Sequence, residues 1–102
     1  MPDLPDHIDD EYSGPARIEG ADLSATVTVT LHGRFEPVDG RYHWGGRIAP
    51  HSELELLLRE GKRAVTIQLG DHAPTPARLV EVDPWSGLRL QGTGRPPWAS
   101  RV

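Results

Sequence analysis

The sequence predicts a mainly β domain, a small antiparallel β-barrel or curled sandwich of about six strands with one short helix. Three observations predict it. From residue 25 to 36, Ala25, Val27, Val29, Leu31, Gly33 and Phe35 alternate with Thr26, Thr28, Thr30, His32, Arg34 and Glu36, the two-residue period of a half-buried strand. Clusters of Gly, Pro, Asp and Ser cut the rest of the chain into short runs suited to strands. No internal repeat and no βαβ rhythm is present, which argues against a doubly wound nucleotide-binding sheet.

The elements follow in order. Tyr12-Ser13-Gly14-Pro15 is a turn-type cluster, and Ala16-Arg17-Ile18-Glu19 makes a short strand before Gly20. The strand 25–36 is broken by Pro37-Val38-Asp39-Gly40, where Asp-Gly predicts a hairpin turn with positive φ at both residues. A two-residue loop sets Phe35 opposite Trp44 and Glu36 opposite His43. A four-residue loop sets Phe35 opposite Tyr42 and Gly33 opposite Trp44. Either way Tyr42, Trp44 and Ile48 share the core face with Val29, Leu31 and Phe35, while His43 and Arg47 share the outer face with His32, Arg34 and Glu36. Gly33 is expected to make room for the Trp44 indole, and Gly45-Gly46 to supply a bulge or bend.

Residues 50–61 predict one helix. Ser52 and Glu55 form a capping-box pattern, Leu54, Leu57 and Leu58 share a face, Leu56 falls on the other side, and Gly61 stands at the C-terminal cap. Strands are expected at 62–69, 77–82 and 88–91, separated by a loop at 70–76 and a turn at 83–87. Two prolines near the end cannot continue a ladder, and Trp98 is expected to fold back over an open barrel end.

At 102 residues the chain is large enough for one core and no more, hiding roughly 65% of its unfolded surface. It has no cysteine, which excludes disulfides and thiolate metal sites and suits a cytoplasmic location. No apolar run approaches the roughly 18 residues of a membrane span, and the first residues are acidic where a signal peptide is basic. Residues 1–11 are expected to be an acidic flexible tail and 12–102 a single β-rich domain. Five of the 15 acidic residues lie in the first twelve positions, so ten acidic residues face the 11 basic ones elsewhere. A body so near neutrality argues against nucleic-acid binding.

The candidate ligand- or partner-contacting residues are Arg34, Glu36, Tyr42, His43, Trp44, Arg47, Trp85 and Trp98. His32, Glu36 and His43, with Asp39 as a weaker candidate, carry metal-binding chemistry, but Arg34 and Arg47 on the same face repel a cation, so neither metal nor cofactor is expected. Neighbouring strands are expected to bring Glu36 near His43; the alternative for this face is a solvated lattice laced by Glu36, Arg34, Arg47 and His43. The five serines sit at turns, caps or the tail, so no nucleophilic elbow is formed. Gly92-Thr93-Gly94-Arg95 offers an anion nest but lacks a following helix. The four aromatics line a cavity or, more ordinarily, fill the core and plug a barrel end.

The motifs Tyr12-Ser13-Gly14-Pro15-Ala16, Gly33-Arg34-Phe35-Glu36-Pro37-Val38-Asp39-Gly40-Arg41-Tyr42-His43-Trp44-Gly45-Gly46-Arg47-Ile48, Asp83-Pro84-Trp85 and Gly92-Thr93-Gly94-Arg95-Pro96-Pro97 resemble a bacterial domain of unknown function. That family occurs as a small stand-alone protein and as an appendage to flavin-containing monooxygenases. The similarity covers residues 12–98 and brings no established catalytic residues. It implies a small β-domain working beside a flavin- and nicotinamide-dependent oxygenase. The leading expectation is therefore a non-catalytic accessory module that forms a homodimer or binds an oxygenase, through a sheet edge or the Trp98 end. A ligand-binding barrel acting alone comes second, and a small enzyme third.

Overall fold

The alternating stretch becomes the longest strand of a closed barrel. The computed structural model describes residues 11–98, in which the elements are β1 (Glu11–Gly20), β2 (Leu23–Glu36), β3 (Arg41–Ile48), α1 (Ser52–Arg59), β4 (Ala64–Gln68), β5 (Thr75–Val82) and β6 (Leu88–Thr93). The barrel order is β1-β2-β3-β6-β5-β4, and every neighbouring pair is antiparallel. Closure is made by β4 returning to β1, with Arg17 opposite Gln68 and Glu19 opposite Thr66. The architecture is thus the barrel rather than the sandwich, closed by three residue pairs between β4 and β1.

Strand direction sorts the connections between two ends. The β1–β2 turn, α1 and the β5–β6 turn lie at one end; the β2–β3 hairpin, the β4–β5 loop and the segment after β6 lie at the other. All six strands and α1 contribute to one apolar core, in which Ile18, Leu31, Ile48, Leu54, Ile67, Leu79 and Leu88 are fully buried. Each such side chain gains about 1.5–3 kcal/mol on burial, against about 0–1 kcal/mol for an exposed ion pair, so the core rather than the surface charge holds the barrel.

Several boundaries differ from expectation. β1 starts at Glu11, not Ala16, because β2 is long enough to pair residue by residue with Tyr12-Ser13-Gly14-Pro15 and overrides their turn preference. Glu11 itself pairs with His32, one residue inside the expected tail. The remainder of that tail, residues 1–10, lies outside the described residues. β6 runs two residues past Gln91 to Thr93, which pairs with His43.

The four-residue loop is the one adopted: Phe35 pairs with Tyr42 and Gly33 with Trp44. Gly40 closes the turn at φ +69, its N–H donating to the Glu36 carbonyl (2.9 Å). Asp39 keeps negative φ, contrary to the expectation for a two-residue loop. The pairing through Gly45 and Gly46 is continuous on both sides, so the expected bulge is absent there. The register shift lies in β5, between Leu79 and Glu81.

Helix α1 buries Leu54, Leu57 and Leu58 and leaves Leu56 exposed, as its periodicity requires. His51, rather than Ser52, is the N-cap: its extended backbone lets Nδ1 accept the Leu54 N–H over a long 3.4 Å. Gly61, at φ +80, ends the helix, its N–H donating to Leu58 and that of Lys62 to Leu57. Among the described residues no helix is long and apolar enough to cross a membrane.

Candidate functional site

The register of β2 and β3 places Arg34, Glu36, His43 and Arg47 on the outer surface, as the sequence parity requires. Only part of the expected lattice forms. Glu36 pairs with Arg34 two residues away (3.4 Å), not with His43. His43 Nε2 instead meets Asp39 Oδ2 at 2.7 Å, while Asp39 Oδ1 accepts the Arg41 N–H at 2.9 Å. The hydrogen bond with His43 is the main cause that holds the Asp39 carboxyl below its ordinary value. Four hairpin residues bring Asp39 back over β3, whereas Glu36 is turned towards Arg34. Among the described residues no three His, Asp or Glu side chains converge as metal ligands.

Arg47 leaves this group altogether. Its guanidinium ion-pairs with Asp83, 36 residues away at the start of the β5–β6 turn. Asp83 Oδ1 also accepts the backbone N–H groups of Trp85 (2.8 Å) and Gly87 (2.9 Å). Its side chain is only 10% exposed, and Arg47, first among the causes, keeps its carboxyl below the usual range. Gly87 leaves room for this pair: a Cβ there would come within 2.7–2.8 Å of the Arg47 guanidinium, which would have to shift. In the sequence Asp83 reads only as the first residue of a turn. An aspartate two and four residues before backbone donors is the available local sign, but nothing local points to Arg47.

The aromatics divide in an unexpected way. Trp44 is buried, as the core face demands, and its indole lies over Gly92 of β6: a Cβ there would come within 2.2 Å of the ring. Gly33, the residue expected to accommodate Trp44, is covered instead by Tyr42, whose ring and hydroxyl would stand 2.7 Å from an added Cβ. Trp98 packs edge-on against Trp44 with centroids 6.3 Å apart and is half-buried, in keeping with a ring folded back over the barrel end. Among the described residues the Trp44 Nε1–H has no acceptor. Phe35, expected in the core, is 58% exposed because the hairpin outruns the barrel at that point, and Val38 at its tip is 90% exposed. Trp85 is 75% exposed on the β5–β6 turn.

The eight candidate residues therefore do not form one site. Gly94 donates its N–H to the Tyr42 carbonyl (2.8 Å), which ties the expected anion nest into the sheet. Grooves mark the surface of the described residues. One of about 970 Å³ lies at the hairpin end between Tyr12, the β4–β5 loop and Arg95-Pro96-Pro97. A second of about 480 Å³ crosses the outer face of β2, β3 and β6. A third, of about 680 Å³, runs from that face to Trp85.

Similar proteins share this sequence without defining a chemistry. An uncharacterised protein of Mycobacterium bovis and uncharacterised proteins from two strains of Mycobacterium tuberculosis are each 35% identical over 91 residues, covering 89% of this chain. The chain spans about a quarter (25%) of the length of these curated relatives. No solved structure matches it. The model of a domain of unknown function, DUF4873, matches residues 9–100, and the chain belongs to that family.

Proposed function

We propose that this chain is a non-catalytic accessory module that acts by protein contact beside a flavin-containing monooxygenase. The observation that carries the reading is the length of the relatives: a sequence 35% identical occupies only 25% of each, so the same unit is built into larger chains. The flavin enzyme is the partner implied by the resemblance of the hairpin motif. The fold suits attachment, because β1 begins and Trp98 lies at the same barrel end, where the unit can be appended without disturbing the strand order.

The contact surface we favour lies at the hairpin end. β4 pairs with β1 only over residues 17–19, so residues 11–16 of β1 keep a side without a strand partner among the described residues, and Trp98 packs edge-on against Trp44 at the same end. Phe35 and Val38, projecting there as well, serve as the apolar anchors. The test is light scattering plus affinity capture from native extract, using the full chain and a Phe35→Ser/Val38→Ser variant. The expected result is a captured protein with flavin absorbance that the double variant loses. A monomer capturing no flavoprotein in either form would sink this reading and favour a ligand-binding barrel acting alone.

A further inference from the structure

Trp85 carries the largest of the exposed apolar side chains, yet its backbone is held firmly. Asp83 accepts its N–H, Arg47 of β3 anchors Asp83, and the neighbouring Ser86 takes φ 71. A non-glycine residue keeps that left-handed conformation only where its surroundings enforce it, and such positions cluster at binding sites. A fixed backbone under a ring left in water is pre-organisation for a contact made with something else.

The indole lines the groove of about 680 Å³, within the size range of small-molecule sites. Thr28, Thr30 and His32 of β2, Arg89 of β6 and Glu81 of β5 line the same groove. Gly45 leaves the middle of the row His32, Gly45, Gln91 without a side chain, and the second groove continues past His32, Gly46 and Arg89. The charges cancel: Arg47 is matched by Asp83 and Arg89 by Glu81, so phosphate or carboxylate gains no net attraction. The hydrogen-bonding groups keep free capacity: the Thr30 hydroxyl has only a long 3.5 Å contact with that of Ser13. Arg89 and Glu81 stand 3.9 Å apart and are 61% and 59% exposed, and the His32 ring has no partner among the described residues.

An uncharged ligand with many hydroxyls and one flat apolar face satisfies all three conditions. We propose that this groove binds a saccharide, one ring face stacked on Trp85 and its hydroxyls held by Thr30, His32, Arg89 and Glu81. A carboxylate accepts, a guanidinium donates, and a hydroxyl or imidazole does both, which matches the dual character of sugar hydroxyls. The site is separate from the Phe35–Val38 contact and stands without it.

The test titrates the ¹⁵N-labelled full chain with cellotriose, maltotriose, chitotriose and mannotriose at millimolar concentrations. The indole N–H signals of its three tryptophans report the site. At least one trisaccharide should shift the Trp85 signal and leave those of Trp44 and Trp98 in place. Followed on the Thr30 and Arg89 amides, its affinity should fall about tenfold in Trp85→Ala. Arg89→Ala should weaken it as well, and both exposed sites should keep the melting temperature. A silent Trp85 with all four sugars, unchanged affinity in Trp85→Ala, or tighter binding of adenosine monophosphate than of every sugar would overturn the proposal.

Discussion

Two turns of this barrel are each organised by one aspartate, and they differ in what that aspartate holds. Asp39, in the β2–β3 hairpin, is 44% exposed and engages Arg41 and His43, two and four residues further on. Asp83, in the β5–β6 turn, is 10% exposed and joins two backbone N–H groups to Arg47 on a different strand pair. The first aspartate shapes a loop that projects past the barrel. The second fastens a loop to it. A turn therefore contributes to the fold through the distance in sequence its contacts span, not through the strength of its own local pattern.

The largest effect should come from below the projecting loop. Trp44→Ala removes a buried indole from the base of the β2–β3 hairpin and should cost about 3–5 kcal/mol, read by urea unfolding. That is a large share of the stability of a small domain. A loss similar to that of a surface substitution would mean that the hairpin base is no better packed than its tip.

Asp83→Ala should have the next effect, since it frees the β5–β6 turn and leaves Arg47 without its partner. Its melting temperature should fall clearly at neutral pH. The sign of the pH dependence follows from the lowered carboxyl: the contribution is complete above the ordinary carboxylate value, about pH 4, and is lost as pH falls through the folded value. The difference between wild type and Asp83→Ala should accordingly narrow in acid. A gap that persists unchanged below pH 3 would assign the effect to packing rather than to the ion pair.

The smallest effects should lie at the projecting tip. Gly40→Val places a β-branched residue at φ +69 with no neighbour within 4 Å, so only the backbone pays, by about 1–2 kcal/mol. Asp39→Asn, which removes only an exposed contact within the loop, should leave the thermal midpoint within error. A fall in Asp39→Asn as large as that in Asp83→Ala would erase the distinction between the two turns.

Much of the barrel was legible without coordinates. Phe35 apart, the inward and outward faces of 25–36 and 41–48, the leucine face of the helix and its glycine stop come from spacing between near neighbours, because side chains alternate along a strand and recur every 3.6 residues along a helix. The candidate site was legible only in part. Parity puts Arg34, Glu36, His43 and Arg47 on the outer face and admits the Arg34–Glu36 pair, whereas the separation of Glu36 from His43 and the seat of Arg47 on Asp83 have no sign in the local pattern.

What the chain determined by itself was therefore the set of strands, their faces and the position of the helix, each an outcome of local period and turn chemistry. Tertiary structure alone decided the closure of β4 on β1, the choice of the four-residue hairpin, the cover of Gly33 by Tyr42 and of Gly92 by Trp44, and the exposure of Phe35. Those outcomes depend on which distant strands meet and how far each overruns the next. A barrel must satisfy that condition around its whole circumference at once, and no window of neighbouring residues contains it.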